Sequence, residues 1–301
     1  MKELFGFLNL IKPPGMTSHD LVDEARRIFR IKKIGHGGTL DPGASGVLPL
    51  AVGRATKLFE YLQESTKLYR GEITFGISTT THDAQGNLLE KKDASALTEK
   101  KIEEMIPLFI GEIQQIPPQV SAIHSKGKRS YEWARKGVTV ELEPRNVKIE
   151  SIVIKDFSTG ELPKVLLDVK SSPGMYMRAL ARDLGEKLGT GAFLSFLVRL
   201  ESGPFKIEEA YTIEEVKEKA ASEKLETVLL KGDRVLSHIP KLSISEQQKT
   251  LLLRANRLPL DREPGKTLFQ LYDEEEELIA LGTIKGEKRP YYFQPVKIFE
   301  S

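Results

Sequence analysis

The chain has 301 residues, 40% apolar and 29% charged, with a formal net charge of +2, so any basic surface must come from segregated charge rather than from excess. Such a length and balance describe a globular protein with one large domain, or one large and one small. There is no cysteine, which excludes disulfides, thiolate metal sites and cysteine nucleophiles and fits a cytoplasmic location.

Residues 4–11, LFGFLNLI, read as a buried strand that stops at Pro13-Pro14-Gly15. This N-terminal apolar run is too short to span a membrane, and it lacks a signal-peptide cleavage pattern. A helix should start at Thr17 or Ser18, because Thr17 and Asp20 match a capping box. Leu21, Val22, Ala25, Ile28 and Phe29 form its apolar stripe. Its far end carries Arg26, Arg27, Arg30, Lys32 and Lys33. Cations this dense repel one another, so they are either a solvated helix end or a phosphate-facing surface.

Residues 34–54, IGHGGTLDPGASGVLPLAVGR, follow directly and crowd glycine around one carboxylate, Asp41. Glycine lets another molecule approach the backbone closely. The stretch is either a loop shaped around a ligand or a tight turn capped by Asp41. Residues 54–62 read as helical and 67–76 as a strand, with Tyr69, Ile73 and Phe75 on one face. Asp83–Gly86 signals a turn. Residues 98–111 read as a helix capped by Thr98, bent by Pro107 and stopped by Gly111.

The region 114–150 changes character. After Pro117-Pro118 comes SKGKRSYEWARKG, with Lys126, Lys128, Arg129, Arg135 and Lys136 around Tyr131 and Trp133. Cations interleaved with aromatics suit a nucleic-acid surface; the same pattern also suits a short amphipathic helix. Residues 147–157 and 164–171 read as strands. A turn at Ser172-Pro173-Gly174 leads into a helix with Leu180, Leu184 and Leu188 on one face, ended by Gly189, with Tyr176 and Arg178 at its start. An apolar run at 192–200 and a charged helical stretch at 212–228 precede a domain boundary near 230. Short strands at Leu268–Tyr272, Leu278–Ile284 and Val296–Phe299 then suggest a small β-barrel, with an acidic tip at Asp273–Glu277.

The five histidines show no zinc spacing, no cage of carboxylates stands out, and no G-x-S-x-G elbow occurs. Asp41 remains as the reactive candidate. A carboxylate works as nucleophile or general base when a cation holds it ionised, and Arg178 offers a fixed fork for that purpose.

Four stretches resemble, in order, the site motifs of the TruB family of tRNA pseudouridine synthases. They are Lys12–Asp20 (KPPGMTSHD), Gly35–Pro42 (GHGGTLDP), Lys67–Arg70 (KLYR) and Gly174–Arg178 (GMYMR), and the likeness spans about residues 9–205. It implies an α+β catalytic domain over 1–229 with a central mixed, largely antiparallel sheet, and a PUA-like barrel over 230–301. It implies isomerisation of uridine 55 in the tRNA T-loop by base flipping, with no cofactor and no metal. Asp41 would be the nucleophile, attacking ribose C1′ or uracil C6. Tyr69 would lie against the base, and Arg178 would pair with Asp41. His36, Tyr176 and Leu197 would line the nucleotide site. Lys12, Arg30, Lys32, Lys33, Lys126, Lys128 and Arg129 would touch the RNA backbone. The expected partner is the tRNA T-arm, with the C-terminal barrel at the acceptor stem, and the protein is expected to act as a monomer. His124 stands where the family commonly has lysine, and Val198 where it frequently has arginine. Two other readings stay open: a non-catalytic tRNA-binding protein, and a relative that modifies RNA chosen by a guide. The intact Asp41, Tyr69 and Arg178 speak against the first, and the short C-terminal region against the second.

Overall fold

One ten-stranded sheet organises most of the chain. The structure is a computed structural model that describes residues 4–121, 124–125, 128–129, 133, 138, 140–255, 257–265 and 267–299. The sheet runs Leu229–Leu230, Gly6–Lys12, Ser45–Val52, Ala192–Ser202, Lys67–Phe75, Lys164–Ser171, Arg145–Ser158, Gly111–Gln115. Ile34–His36 and Phe205–Lys206 pair alongside. Every pairing is antiparallel except that of Ser45–Val52 with Ala192–Ser202. The expected mixed, largely antiparallel sheet is therefore present.

Alternation along the strands decides which side chains enter the core. Ile73, Phe75, Val165 and Leu167 turn to one face and meet Leu180 and Leu184 of the helix Met177–Lys187. At the other end Leu8, Leu10, Leu48 and Leu50 meet Leu21 and Val22 of the helix Ser18–Phe29. Each such side chain, fully buried, stabilises the fold by roughly 1.5–3 kcal/mol. The first helix opens with the capping box read from its sequence: Asp20 N–H donates to Thr17 Oγ1, and Thr17 N–H donates to the Asp20 carboxylate.

Two readings need correction. Residues 34–54 are not loop throughout, since Ser45–Val52 is a strand buried along nearly its whole length between two neighbours. Its continuous apolar run reflects burial on both faces. The helix expected over 98–111 is α-helical only at Glu99–Met105, with Thr98 as its cap, and tightens into a 3₁₀ turn at Ile106–Phe109. Pro107 cannot donate to the preceding turn and ends the α-helix there. Gly111 then opens a strand at φ +96°.

A second, five-stranded sheet runs Lys241–Ser243, Leu268–Tyr272, Leu278–Lys285, Tyr291–Ile298, Leu258–Leu260. The helix Glu246–Ala255 packs on it through Leu252. The sequence reading passed over this helix, although Ser245 and Gln248 form a reciprocal capping pair at its start. Leu278, Leu281 and Phe299 share a core with Phe7, Val47 and Phe205 of the large sheet. Among the described residues no helix is long and apolar enough to cross a membrane.

Gly46 marks where the sheet brings its parallel strands together. Its φ is +106°, and a Cβ there would lie 2.2 Å from Arg199 O and 2.6 Å from Arg199 N. Neither backbone atom can move away alone. Gly46→Ala is expected to cost roughly 3 kcal/mol or more of stability, read as a lowered urea midpoint; an unchanged midpoint would contradict the close approach.

Candidate active site

The glycine loop after Ile34–His36 is clipped to the Pro-Pro-Gly turn that ends the first strand. Lys12 is fully buried, and its ammonium donates to Pro13 O at 2.9 Å, Met16 O at 2.7 Å and Pro42 O at 3.3 Å. Gly15 N–H donates to Pro42 O at 2.8 Å. Ser18 Oγ donates to Leu40 O at 3.0 Å and accepts from Leu40 N–H at 2.9 Å. Gly37 must be glycine for packing reasons, since a Cβ would fall 2.0 Å from Leu62 Cδ2. These contacts leave the Asp41 carboxylate at the mouth of a cleft.

Arg178 meets it there. The residue lies in the first turn of the helix Met177–Lys187 and is only 4% exposed. Its Nη2 stands 2.9 Å from Asp41 Oδ2 and donates to Val120 O at 2.8 Å. Its Nη1 donates to Thr81 O at 3.3 Å and stands 3.6 Å from Asp83 Oδ2. Asp83 is itself fixed, accepting from Gln85 N–H at 3.0 Å. The guanidinium therefore has one orientation, and it aims at Asp41. Burial pushes the Asp41 carboxyl above the usual carboxylate range; Arg178 opposes that shift, and the like charge of Asp83 adds to it.

The cleft has a volume of about 280 Å³ and is lined by Asp41, Tyr69, Tyr176, Met177, Leu197 and Arg199, among others. Its size sits near the lower end for small-molecule sites, roughly 300 Å³. Tyr69 comes from the strand Lys67–Phe75 and is half-buried, opposite Arg199 on one neighbour and Val169 on the other. Tyr176 N–H donates to Gln115 Oε1 at 3.1 Å, and burial raises its phenol above the ordinary value. So Asp41, Tyr69, Tyr176, Arg178 and Leu197, far apart in sequence, share one cavity.

Other expected residues fall elsewhere. His36 is not among the cleft's lining; its Nδ1 accepts from Gly38 N–H at 3.4 Å, and burial holds its pKa below the histidine norm. Lys12 must be corrected, because a sealed ammonium that donates to three carbonyls is out of reach of a phosphate. Arg30, Lys32 and Lys33 are exposed and have no ion pair among the described residues. Arg26 and Arg27 instead pair with Asp23 at 2.9 Å and Glu24 at 2.7 Å. Lys126 lies outside the described residues. Lys128 and Arg129 pair through their backbone with Ser125 and His124, and their side chains lie outside the description. Among the described residues no cluster of histidines and carboxylates could hold a metal.

Sequence reasoning missed several members. Ser18 fits a helix start and a motif by sequence, yet only the structure shows that it grips the glycine loop. Asp83 and the Thr81 carbonyl orient Arg178 from a turn that signalled nothing but a turn. Arg199 lines the cleft although it sits in an apolar run.

The family model for the "TruB family pseudouridylate synthase (N terminal domain)" matches residues 26–177, and that for the "tRNA pseudouridylate synthase B C-terminal domain" matches residues 178–237. The chain belongs to the TruB family. It is a pseudouridine synthase, an isomerase. The tRNA pseudouridine synthase B of Pelotomaculum thermopropionicum is 42% identical over 97% of this chain and 96% of that protein. The enzyme of the same name from Caldanaerobacter subterraneus subsp. tengcongensis is 43% identical over 98% of this chain and 99% of that protein. Among solved structures, a Cbf5-Nop10-Gar1 complex contains a chain of TM-score 0.73 and 28% identity, covering 98% of this chain and 85% of that one. An H/ACA RNP bound to a substrate RNA containing 2′-deoxyuridine gives a TM-score of 0.73 at 26% identity, covering 99% of this chain and 86% of that one. The TruB-family chain thus carries the pseudouridine synthase fold, with Asp41 and Arg178 lining its cleft.

Activity of a TruB-family chain that needs ionised Asp41 should fall on the acid side, at a midpoint above the usual carboxylate value, because burial raises this carboxyl. Asp83→Asn removes a like charge, so the acid limb of kcat/KM should move to lower pH. A limb that stays put or moves upward would contradict the electrostatic role of Asp83.

Proposed function

We propose that this chain isomerises uridine to pseudouridine at position 55 in the T-loop of tRNA, with Asp41 as nucleophile on an extruded base. The observation that carries the reading is the buried Arg178 fork 2.9 Å from Asp41, in a cleft that also holds Tyr69. The target base is stacked within a folded arm, so extruding it costs a few kcal/mol. Tyr69, Tyr176 and Leu197 recover part of that cost by packing against the flipped nucleotide.

Asp41 attacks either ribose C1′ or uracil C6. On the first route the C1′–N1 bond breaks and its electron pair leaves with the uracil. The base then turns, C5 bonds to C1′ as the carboxylate departs, the C5 proton passes to a base at the site, and N1 takes up a proton, so that the net change is an isomerisation. Tyr69 lies against the ring through this rotation, and Arg178 keeps Asp41 charged and aimed. Holding the attacking oxygen in one geometry is itself a large part of such catalysis. No cofactor enters this scheme.

Exposed Arg30, Lys32 and Lys33 hold the phosphates of the arm. The chain divides into a catalytic unit over 1–229 and a C-terminal RNA-binding unit over 230–301. In support, the strands of the second sheet all lie after residue 240, while the large sheet's last pairing is at Leu229–Leu230. The second unit is a PUA-like fold that reaches the acceptor stem. The protein works in the cytoplasm as a monomer, without a guide RNA.

The test is quantitative mapping of pseudouridine in a T-arm stem–loop incubated with purified protein alone. Wild type should convert the target uridine. Asp41→Asn should lose on the order of 10⁴-fold in rate while its RNA Kd stays within threefold. Wild-type turnover by the variant would overturn the nucleophile, and binding without conversion by wild type would favour an inert tRNA binder.

A further inference from the structure

Arg199 is 1% exposed, yet it lines the cleft. Strand register seats it opposite Gly46 on one side and Tyr69 on the other. Its Nε donates to Val47 O at 2.8 Å, and its Nη2 donates to Gly38 O at 3.1 Å. A guanidinium has five N–H donors, so two carbonyls leave it underused. Nη1 has no partner among the described residues and is not sealed off from the cleft. The missing side chain of Gly38 keeps that flank clear, since a Cβ there would stand 3.7 Å from Nη1. No carboxylate pairs with Arg199 among the described residues.

Two buried ammonium groups stand nearby. Lys12 and Lys67 are 0% and 6% exposed, and each donates to three backbone carbonyls. Burial draws both down to a pKa of about 8; the Asp41 carboxylate opposes this at Lys12, and the charge of Arg199 adds to it at both. Arg199 therefore adds like charge to each buried ammonium, and an anion entering beside its guanidinium relieves that cost. Uracil and ribose are neutral; the only anions a uridine in RNA presents are its phosphodiesters. Arginine presents parallel N–H groups that match phosphate oxygens.

We propose that Arg199, through Nη1, binds a non-bridging oxygen of one of the two phosphodiesters that flank the target uridine. The contact tethers the sugar–phosphate backbone while the base turns between N1 and C5 attachment. The proposal rests on the reading of the chain as a uridine isomerase acting on an extruded nucleotide.

The test alters the RNA first, so that protein folding does not enter. T-arm stem–loops carry a neutral methylphosphonate at the 5′ or the 3′ linkage of the target uridine, each compared with a matched RNA that keeps the phosphate. Wild type should bind one of the two neutral RNAs five- to tenfold more weakly. Arg199→Lys, first shown to retain the wild-type melting temperature, should bind the unmodified RNA more weakly and lose less than twofold on the same neutral linkage. Its slope of log Kd against log salt should also flatten by about 0.7, the loss of one contact to single-stranded RNA. Equal losses for wild type and variant, or no loss by wild type at either linkage, would overturn the proposal. If the lysine variant does not fold, the wild-type comparison decides alone. Conversion of unmodified RNA, run in parallel, separates failure of this contact from failure of the isomerase reading.

Discussion

The Asp41–Arg178 ion pair constrains everything around it. A guanidinium 4% exposed is expensive to hold unless its donors are used. Here Nη1 faces the Thr81 carbonyl and Asp83, and Nη2 faces the Val120 carbonyl and Asp41. The carboxylate gains less certainty of charge than of position. Burial pushes its pKa up while Arg178 pulls it back, which leaves an oxygen less solvated than in water and fixed in direction.

The large sheet exists to make that meeting possible. Asp41 comes from a loop before the strand Ser45–Val52, Tyr69 from Lys67–Phe75 and Arg178 from a helix packed on the sheet. The one parallel pairing joins Ser45–Val52 to Ala192–Ser202, and so carries the glycine loop alongside Leu197 and Arg199. Gly46 allows this approach. Lys12, Gly15 and Ser18 then hold the loop itself, through contacts to Pro42 and Leu40.

Much of this was legible in the residues. The strands Gly6–Lys12, Lys67–Phe75, Arg145–Ser158 and Lys164–Ser171, the Thr17 capping box and the helix ending at Gly189 follow from periodicity and punctuation, which are local signals. Asp41 and Arg178 stand out by residue chemistry as a reactive carboxylate and its candidate cation, whereas Tyr69 and Tyr176 gain their site roles only through the motifs, and nothing local says that positions 41 and 178 meet. Lys12 shows the limit clearly: residue type suggested a phosphate contact, whereas burial turned the ammonium onto backbone carbonyls. Arg199 failed in the opposite way, as a cation hidden in an apolar strand whose side chain reaches the cleft only through cross-strand register. The Ser45–Val52 strand was obscured by the glycines before it, and the helix Glu246–Ala255 by a weak apolar stripe of which only Leu252 is buried.

On the proposed reading, Arg178 acts on Asp41 during chemistry rather than on RNA binding. Single-turnover conversion of a T-arm stem–loop by Arg178→Lys, at saturating protein, tests it most directly. Lysine keeps the charge but cannot serve Val120, Thr81, Asp83 and Asp41 from a planar fork. The rate should fall on the order of 10²-fold or more, with the RNA Kd within threefold of wild type. A variant that converts RNA at the wild-type rate, or whose loss is explained wholly by weaker binding, would contradict it.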